Sequence, residues 1–145
     1  MLNVGDSAPD FTAQSTQGEF TLSEAGDLVV LFFFPKAGSP VCTREACSFR
    51  DSMAEFNDLD ATIVGISPND SLEKLEEFAD DNGLDFPLVS DTSGSISELY
   101  DIEGAFGLYE KRVTYVVEDG RIAGVVEGMF RAKKHVEKSL EAIKS

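Results

Sequence analysis

Two cysteines, Cys42 and Cys47, are the side chains of this sequence best suited to chemistry, and the residues before Cys42 predict where it lies. Ser39 is a favourable N-cap, and Pro40 fits the first helical position, where its missing N–H costs nothing. Cys42 then falls in the first turn of a helix, where unpaired backbone N–H groups and the positive end of the helix dipole stabilise an anion. This position favours the thiolate, which is the nucleophilic form of cysteine.

The spacing of the two cysteines restricts how they can react with each other. On an intact helix their Cα atoms lie roughly 8.7 Å apart, whereas a disulfide tolerates at most about 6.8 Å. Cys42 and Cys47 therefore cannot join unless the first helical turns unwind, and pairing would require two conformations. Cys42 and Phe49 lie about two turns apart and are expected to share the core-facing side, whereas Cys47 faces elsewhere. The alternative is that both cysteines are only small buried hydrophobic residues.

The elements that would position these cysteines can be read from the apolar pattern. Residues 28–34 and 61–67 are short apolar runs rich in β-branched and aromatic residues, which predict strands covered on both faces. Between them, helical spacing of apolar residues predicts an amphipathic helix from about residue 40 to 58. The residues of that helix expected to face the core are Ala46, Phe49, Met53 and Phe56.

The second half of the sequence supplies the remaining elements. These are a helix that Ser71 caps and Gly83 ends, a short strand at 87–90, a short helix at 96–100, a hairpin of strands 113–117 and 121–126, and a last helix from about 133 to 143. A β-α-β half followed by a β-β-α half is the thioredoxin-like order. The sequence thus predicts an α/β fold with a central mixed sheet flanked by helices, and residues 1–27 are expected to add a hairpin or extended arm.

Size and charge narrow the function classes. The length of 145 residues predicts a single domain over residues 1–145. Twelve basic against 27 acidic residues give a net charge of −15, which argues against binding nucleic acid or an anionic membrane surface. No apolar run approaches the roughly 20 residues of a membrane span, and the N-terminal residues show no secretory pattern. We therefore expect a cytoplasmic protein, whose acidity fits either a well-solvated surface that keeps the protein soluble or a salt-rich cytoplasm.

Metal ligands of the usual kind are scarce. Two cysteines and one histidine cannot by themselves form a four-ligand zinc site, so no metal is expected. The histidine, His135, stands beside Lys133 and Lys134 on the predicted last helix. We expect His135 to be a solvated surface residue without a catalytic role.

The motif Pro35-x-x-x-Ser39-x-x-Cys42 resembles the active-site signature of the peroxiredoxins, and a second cysteine five positions later is similar to their Q-type branch, the bacterioferritin comigratory proteins. The resemblance extends along the chain in several separated blocks. These blocks are Gly5-Asp6-x-Ala8-Pro9-Asp10-Phe11, Phe33-Phe34-Pro35-Lys36, Gly65-Ile66-Ser67-Pro68, Phe86-Pro87-Leu88-x-Ser90-Asp91 and Arg112-x-Thr114-Tyr115. The fold that the resemblance implies is thioredoxin-like, in agreement with the element order.

The resemblance implies a role for each matched residue around the reacting sulfur. Cys42 would be the peroxidatic nucleophile, which attacks one peroxide oxygen and becomes a sulfenic acid. Arg112 would hold the thiolate and stabilise charge on the leaving oxygen. The Ser39 hydroxyl and the Cys42 backbone N–H would align the peroxide, and Pro35 would shield the sulfur from water. Glu45 could orient Arg112, or could be an ordinary first-turn acid that matches the helix dipole.

The rest of the reaction cycle also follows from the resemblance. Cys47 would be the resolving thiol, which condenses with the sulfenic acid to an intramolecular disulfide, and thioredoxin or a similar dithiol would restore both thiols. The substrates implied are hydrogen peroxide and organic hydroperoxides, with no cofactor and a monomeric protein. Two alternatives remain: a thioredoxin-type disulfide oxidoreductase, although the sequence has no Cys-x-x-Cys motif, and a non-enzymatic redox switch that senses peroxide.

Overall fold

Seven strands form one mixed sheet within residues 2–102, 113–127 and 132–144, the parts of the chain that the computed structural model describes. The strands are β1 (Thr12–Ser15), β2 (Gly18–Thr21), β3 (Leu28–Phe33), β4 (Ala61–Ser67), β5 (Leu88–Ser90), β6 (Val113–Glu118) and β7 (Arg121–Glu127). Their order across the sheet is β2-β1-β5-β4-β3-β6-β7. Strands β3, β4 and β5 are mutually parallel, and the other neighbouring strands pair antiparallel.

The helices fall between the strands in the order that the sequence predicts. They are α1 (Pro40–Asp51), α2 (Met53–Asp58), α3 (Leu72–Asn82), α4 (Ser95–Leu99) and α5 (Ala132–Lys144), with a 3-10 turn at Leu22–Glu24. The β3-α1-β4 unit and the later β6-β7-α5 unit confirm the predicted α/β architecture. The N-terminal segment forms the expected hairpin, β1 and β2, which extends the sheet beside β5.

The predicted helix over residues 40 to 58 is wrong in one respect, because the chain forms two helices there. Ser52 separates α1 from α2 with φ −102° and ψ 9°, which are outside the helical range. Its backbone N–H points to the carbonyls of both Ser48 and Phe49, a tightened end turn that stops α1. Met53, expected on the same stripe as Phe49, is consequently only partly buried.

The sheet has a core on each face, which follows from the alternation of side chains along its strands. Val30 and Phe32 of β3 point to the face where α1, α3 and α5 pack, whereas Val29, Leu31 and Phe33 point to the opposite face. Both faces of β3 are thus covered, as its unbroken apolar run predicts.

Helix α5 packs against β6, β7 and α1, and its approach to β7 depends on a glycine. A Cβ atom at Gly124 would lie 2.8 Å from the Cβ of Ala142, closer than two carbon atoms can pack. The absence of a side chain at Gly124 therefore lets α5 lie directly on the sheet. Among the described residues, no helix is long and apolar enough to cross a membrane.

Candidate active site

The start of α1 has the capped geometry that the sequence predicts. Ser39 has extended backbone angles and its Oγ accepts a hydrogen bond from the backbone N–H of Cys42 at 3.4 Å, while Pro40 occupies the first helical position. The Ser39 hydroxyl donates to the carbonyl of Lys36 at 3.1 Å. Thr43 makes a further hydrogen bond at this helix start, because its hydroxyl donates to the Ser39 carbonyl at 2.8 Å. Cys42 therefore lies in the first turn, at the positive end of the helix dipole.

Cys42 faces the core from this turn. It is 1% exposed and belongs to the same apolar cluster as Phe34, Ala46 and Phe49, which confirms that Cys42 and Phe49 share the inward side of α1. Pro35, in the loop between β3 and α1, is also buried. The thiol thus lies at the base of the loop that precedes the helix, in largely apolar surroundings.

The loop before α1 is held by two residues that the sequence analysis did not single out. Asn69 donates from Nδ2 to the carbonyl of Pro35 at 2.6 Å. The Asp70 carboxylate accepts hydrogen bonds from the backbone N–H of Ala37 at 2.7 Å and from the hydroxyl of Ser67 at 2.6 Å, and Asp70 is 1% exposed. These contacts join the loop after β3 to the loop after β4. A signal for them existed, because the carboxyl ends of adjacent parallel strands meet at one edge of a sheet.

Cys47 lies on a different side of α1, as its spacing from Cys42 predicts. Its thiol is half-buried and points to Oδ1 of Asn82, the last residue of α3, at 3.7 Å. Arg50 donates to the backbone carbonyl of Asn82 at 2.6 Å. The hydrogen bond with Asp51 is the largest of the effects that raise the pKa of Arg50. Cys47 and Arg50 thus both contact Asn82 at the end of α3.

The two sulfur atoms are not joined, and the structure shows why. Both cysteines are thiols, and both lie within the continuous helix α1. A regular helix holds their Cα atoms roughly 8.7 Å apart, which is beyond the reach of a disulfide. The structure therefore represents the conformation that precedes any Cys42–Cys47 bond.

Glu45 and His135 form a buried contact that corrects the expectation for His135. His135 was expected to be a solvated surface residue, but it is 1% exposed. Its Nδ1 lies 3.4 Å from Oε2 of Glu45, which is fully buried, and 2.8 Å from Oγ1 of Thr114. The prediction failed because the adjacent lysines indicated solvent. The signal that it missed is the small residues Ser139 and Ala142, which lie on the same helical face as His135 and allow close packing.

The structure brings together all but one of the predicted site residues along α1 and its preceding loop. Pro35, Ser39, Cys42 and Glu45 lie at or near the first turns of the helix, and Cys47 lies two residues beyond Glu45. Arg112 lies outside the described residues. Within the described parts of the chain, no three His, Cys, Asp or Glu side chains are grouped so that they could bind a metal ion.

Comparison with known proteins gives a consistent result. The chain matches the AhpC/TSA family over residues 4–125. It is 36% identical over 152 residues to peroxiredoxin Bcp of Bacillus subtilis, covering 99% of this chain and 96% of that protein. It is 34% identical over 148 residues to chloroplastic peroxiredoxin Q of Arabidopsis thaliana, covering 99% of this chain and 68% of that protein. The crystal structure of peroxidoxin BcpB from Mycobacterium tuberculosis matches with a TM-score of 0.91 at 35% identity, over 99% of this chain and 97% of the other. The thioredoxin-like fold predicted from the element order is thereby confirmed.

Proposed function

This chain belongs to the AhpC/TSA family and is a peroxiredoxin, a thiol peroxidase, and on that premise we propose that Cys42 is the residue that reacts with the peroxide. The observation that carries this assignment is the placement of Cys42 in the first turn of α1, behind the Ser39 cap and Pro40. The positive end of the helix dipole lies at this turn. Cys47 lies further along the helix and lacks this environment.

In the first step, the Cys42 thiolate attacks one oxygen of the peroxide, and the O–O bond breaks. Cys42 becomes a sulfenic acid with the attacked O–H, and the second oxygen takes a proton from solvent and leaves as water or an alcohol. The Ser39 hydroxyl already donates to the Lys36 carbonyl, so its remaining capacity is to accept. Ser39 would therefore accept a hydrogen bond from the peroxide O–H and align it for attack.

Further residues complete the proposed peroxide site. The buried Pro35 would keep water from the sulfur. Arg112, by its resemblance to the family arginine, would stabilise charge on the leaving oxygen, and Glu45 would orient Arg112. The loop contacts made by Asn69 and Asp70 support the placement of Pro35.

In the second step, the Cys47 thiol attacks the sulfenic sulfur, a disulfide forms, and water leaves. This step needs α1 to unwind between the two cysteines, because the helical spacing exceeds the disulfide limit. Thioredoxin or a similar dithiol would then reduce the disulfide by exchange. We propose hydrogen peroxide and organic hydroperoxides as substrates and a monomer as the working unit, since both cysteines belong to one chain. The cytoplasmic location expected from the sequence stays a prediction.

Two substitutions of cysteine by serine, a side chain of similar size, test these assignments. Cys42→Ser should reduce peroxide consumption to background, whereas Cys47→Ser should react once and then fail to turn over with thioredoxin. Peroxide loss is followed with thioredoxin, its reductase and a nicotinamide reductant, and peptide mapping locates the cysteine linkage. Normal turnover by Cys42→Ser would refute the nucleophile assignment, and full recycling by Cys47→Ser would remove the resolving role. A wild-type protein oxidised once without turnover would instead be a peroxide sensor.

A further inference from the structure

A buried polar cluster fastens the middle of α1 to the sheet and to α5. Its members are Glu45 on α1, His135 on α5 and Thr114 on β6, with exposures of 0%, 1% and 0%. Nδ1 of His135 lies between the two others, 3.4 Å from the Glu45 carboxylate and 2.8 Å from the Thr114 hydroxyl. Three elements that are distant in sequence therefore meet at one ring nitrogen.

The two contacts of the ring nitrogen differ in kind. Nδ1 of His135 and Oγ1 of Thr114 share a hydrogen bond of 2.8 Å, which holds the ring in place, whereas the Glu45 carboxylate faces the same nitrogen at an ion-pair distance of 3.4 Å. An ionised carboxylate attracts a ring that carries a proton on that nitrogen. Breaking this contact is costly, because the Glu45 carboxylate and the His135 ring are both buried.

The position of the cluster links it to the two cysteines. Glu45 lies between Cys42 and Cys47 in the sequence, within the segment whose backbone must leave the helical conformation before the sulfur atoms can meet. Any unwinding that displaces Glu45 must break its contact with His135. The cluster therefore stabilises the helical conformation relative to the unwound one.

We propose that His135 is a positioning residue which, through Glu45 and together with Thr114, holds α1 in the peroxide-reactive helix and limits the rate of disulfide formation. This proposal deepens the proposed function and rests on it. After the first step, the Cys42 sulfenic acid has two fates. It condenses with the Cys47 thiol to a disulfide and water, or it reduces a second peroxide molecule and becomes a sulfinic acid. A more stable helix therefore favours the sulfinic acid, and a less stable helix favours the disulfide.

The test compares His135→Phe with wild type and with Val136→Ala. Phenylalanine keeps an aromatic ring, somewhat larger than imidazole, but has no N–H, whereas Val136→Ala loosens the same helix at a residue that is 5% exposed and leaves the His135 ring present. Each reduced protein is mixed with hydrogen peroxide, quenched with acid at a series of times and alkylated. Intact mass then gives the amounts of thiol, disulfide and sulfinic acid, and urea unfolding gives the global stability of each variant.

Loss of the His135 contact should change the rates of the two steps in opposite directions: the reaction with peroxide slows and disulfide formation accelerates. His135→Phe should react more slowly with peroxide, form the disulfide about tenfold faster once oxidised, and accumulate correspondingly less sulfinic acid; this is the size expected from losing one buried polar contact. His135→Gln, whose amide group keeps a polar N–H beside Glu45 and Thr114, should return both rates towards wild type. Val136→Ala should leave the disulfide rate within about twofold at a similar loss of stability.

Two results would overturn the proposal. One is an unchanged disulfide rate in His135→Phe, and the other is an equal acceleration in Val136→Ala, which would trace the effect to global stability. If His135→Phe does not fold, Thr114→Val takes its place, because it removes only the hydroxyl that holds the ring, and the same signs are expected. A wild-type protein that forms no disulfide would refute the resolving role of Cys47 before any variant is compared, so the two failures are distinguishable.

Discussion

Oxidation of Cys42 and Cys47 to a disulfide should make the protein less helical and less stable, although disulfides usually stabilise. The reason is the intact helix between the two residues. Their Cα atoms must approach by about 2 Å from the helical separation before a disulfide can form. The segment from Pro40 to Cys47, about two thirds of α1, is the part expected to unwind.

The sign of the stability change follows from the size of the opposing effects. Unwinding exposes Cys42 and Ala46, each 1% exposed in the helix, which costs about 2 kcal/mol of apolar burial. Loss of the Ser39 cap costs about 1 kcal/mol more. The disulfide closes a short loop and recovers only about 2 kcal/mol through the unfolded state. The oxidised protein should be less stable by about 1 kcal/mol, so its Tm should fall by about 2–4 °C.

Far-ultraviolet circular dichroism and thermal melting of the reduced and oxidised proteins measure both effects. Peptide mapping must first establish that the oxidised sample contains the Cys42–Cys47 bond. The control is Cys47→Ser treated with the same amount of peroxide, which should keep its helical signal because no disulfide can form within the chain. A verified disulfide with unchanged helical signal and a raised Tm would refute the reasoning from helix geometry.

Three further predictions concern residues around the site and the core. Asp70→Ala removes the acceptor of the Ala37 N–H, and it should lower stability by about 2–3 kcal/mol and kcat/KM for peroxide by about tenfold, as measured by urea unfolding and stopped-flow oxidation. Gly65→Ala would place a Cβ 2.6 Å from Leu88 Cδ2, and overpacking should cost about 1–3 kcal/mol; an unchanged urea midpoint would contradict this. Hydrogen bonds from the side chain and then the backbone of Ser23 lower the pKa of Asp10. Ionised Asp10 therefore stabilises the folded protein at pH values above the pKa that it has in the unfolded chain, and this stabilisation is lost as the pH falls through its lower pKa in the folded protein. Asp10→Asn should therefore lower the Tm slightly at pH 7 and leave it equal to wild type at pH 2.

Local interactions made part of the site predictable from sequence. The Ser39–Pro40 pair encodes the start of α1 within a few residues, and the structure has the cap that it predicts. The hairpin between β6 and β7 is likewise local, because Asp119 and Gly120 adopt the positive φ angles that such a turn requires. The inward side of α1 followed from helical periodicity alone.

Contacts between segments that are distant in the chain could not be predicted from local sequence patterns. The break at Ser52 depends on how α1 and α2 pack against the sheet, and apolar spacing continues through it without interruption. The clamp of Asp70 on the loop before α1 joins residues 33 positions apart.

The sequence by itself determined the capped start of α1 with Cys42 in its first turn, the order of elements, and a helical spacing of Cys42 and Cys47 beyond the reach of a disulfide, because each depends on hydrogen bonds and spacing within a few turns of chain. Only the tertiary structure decided that His135 is buried against Glu45 and Thr114. A histidine beside two lysines looks solvated in sequence. Its burial arises because Gly124 allows α5 to lie on β7, and that approach carries His135 to a carboxylate 90 residues earlier in the chain.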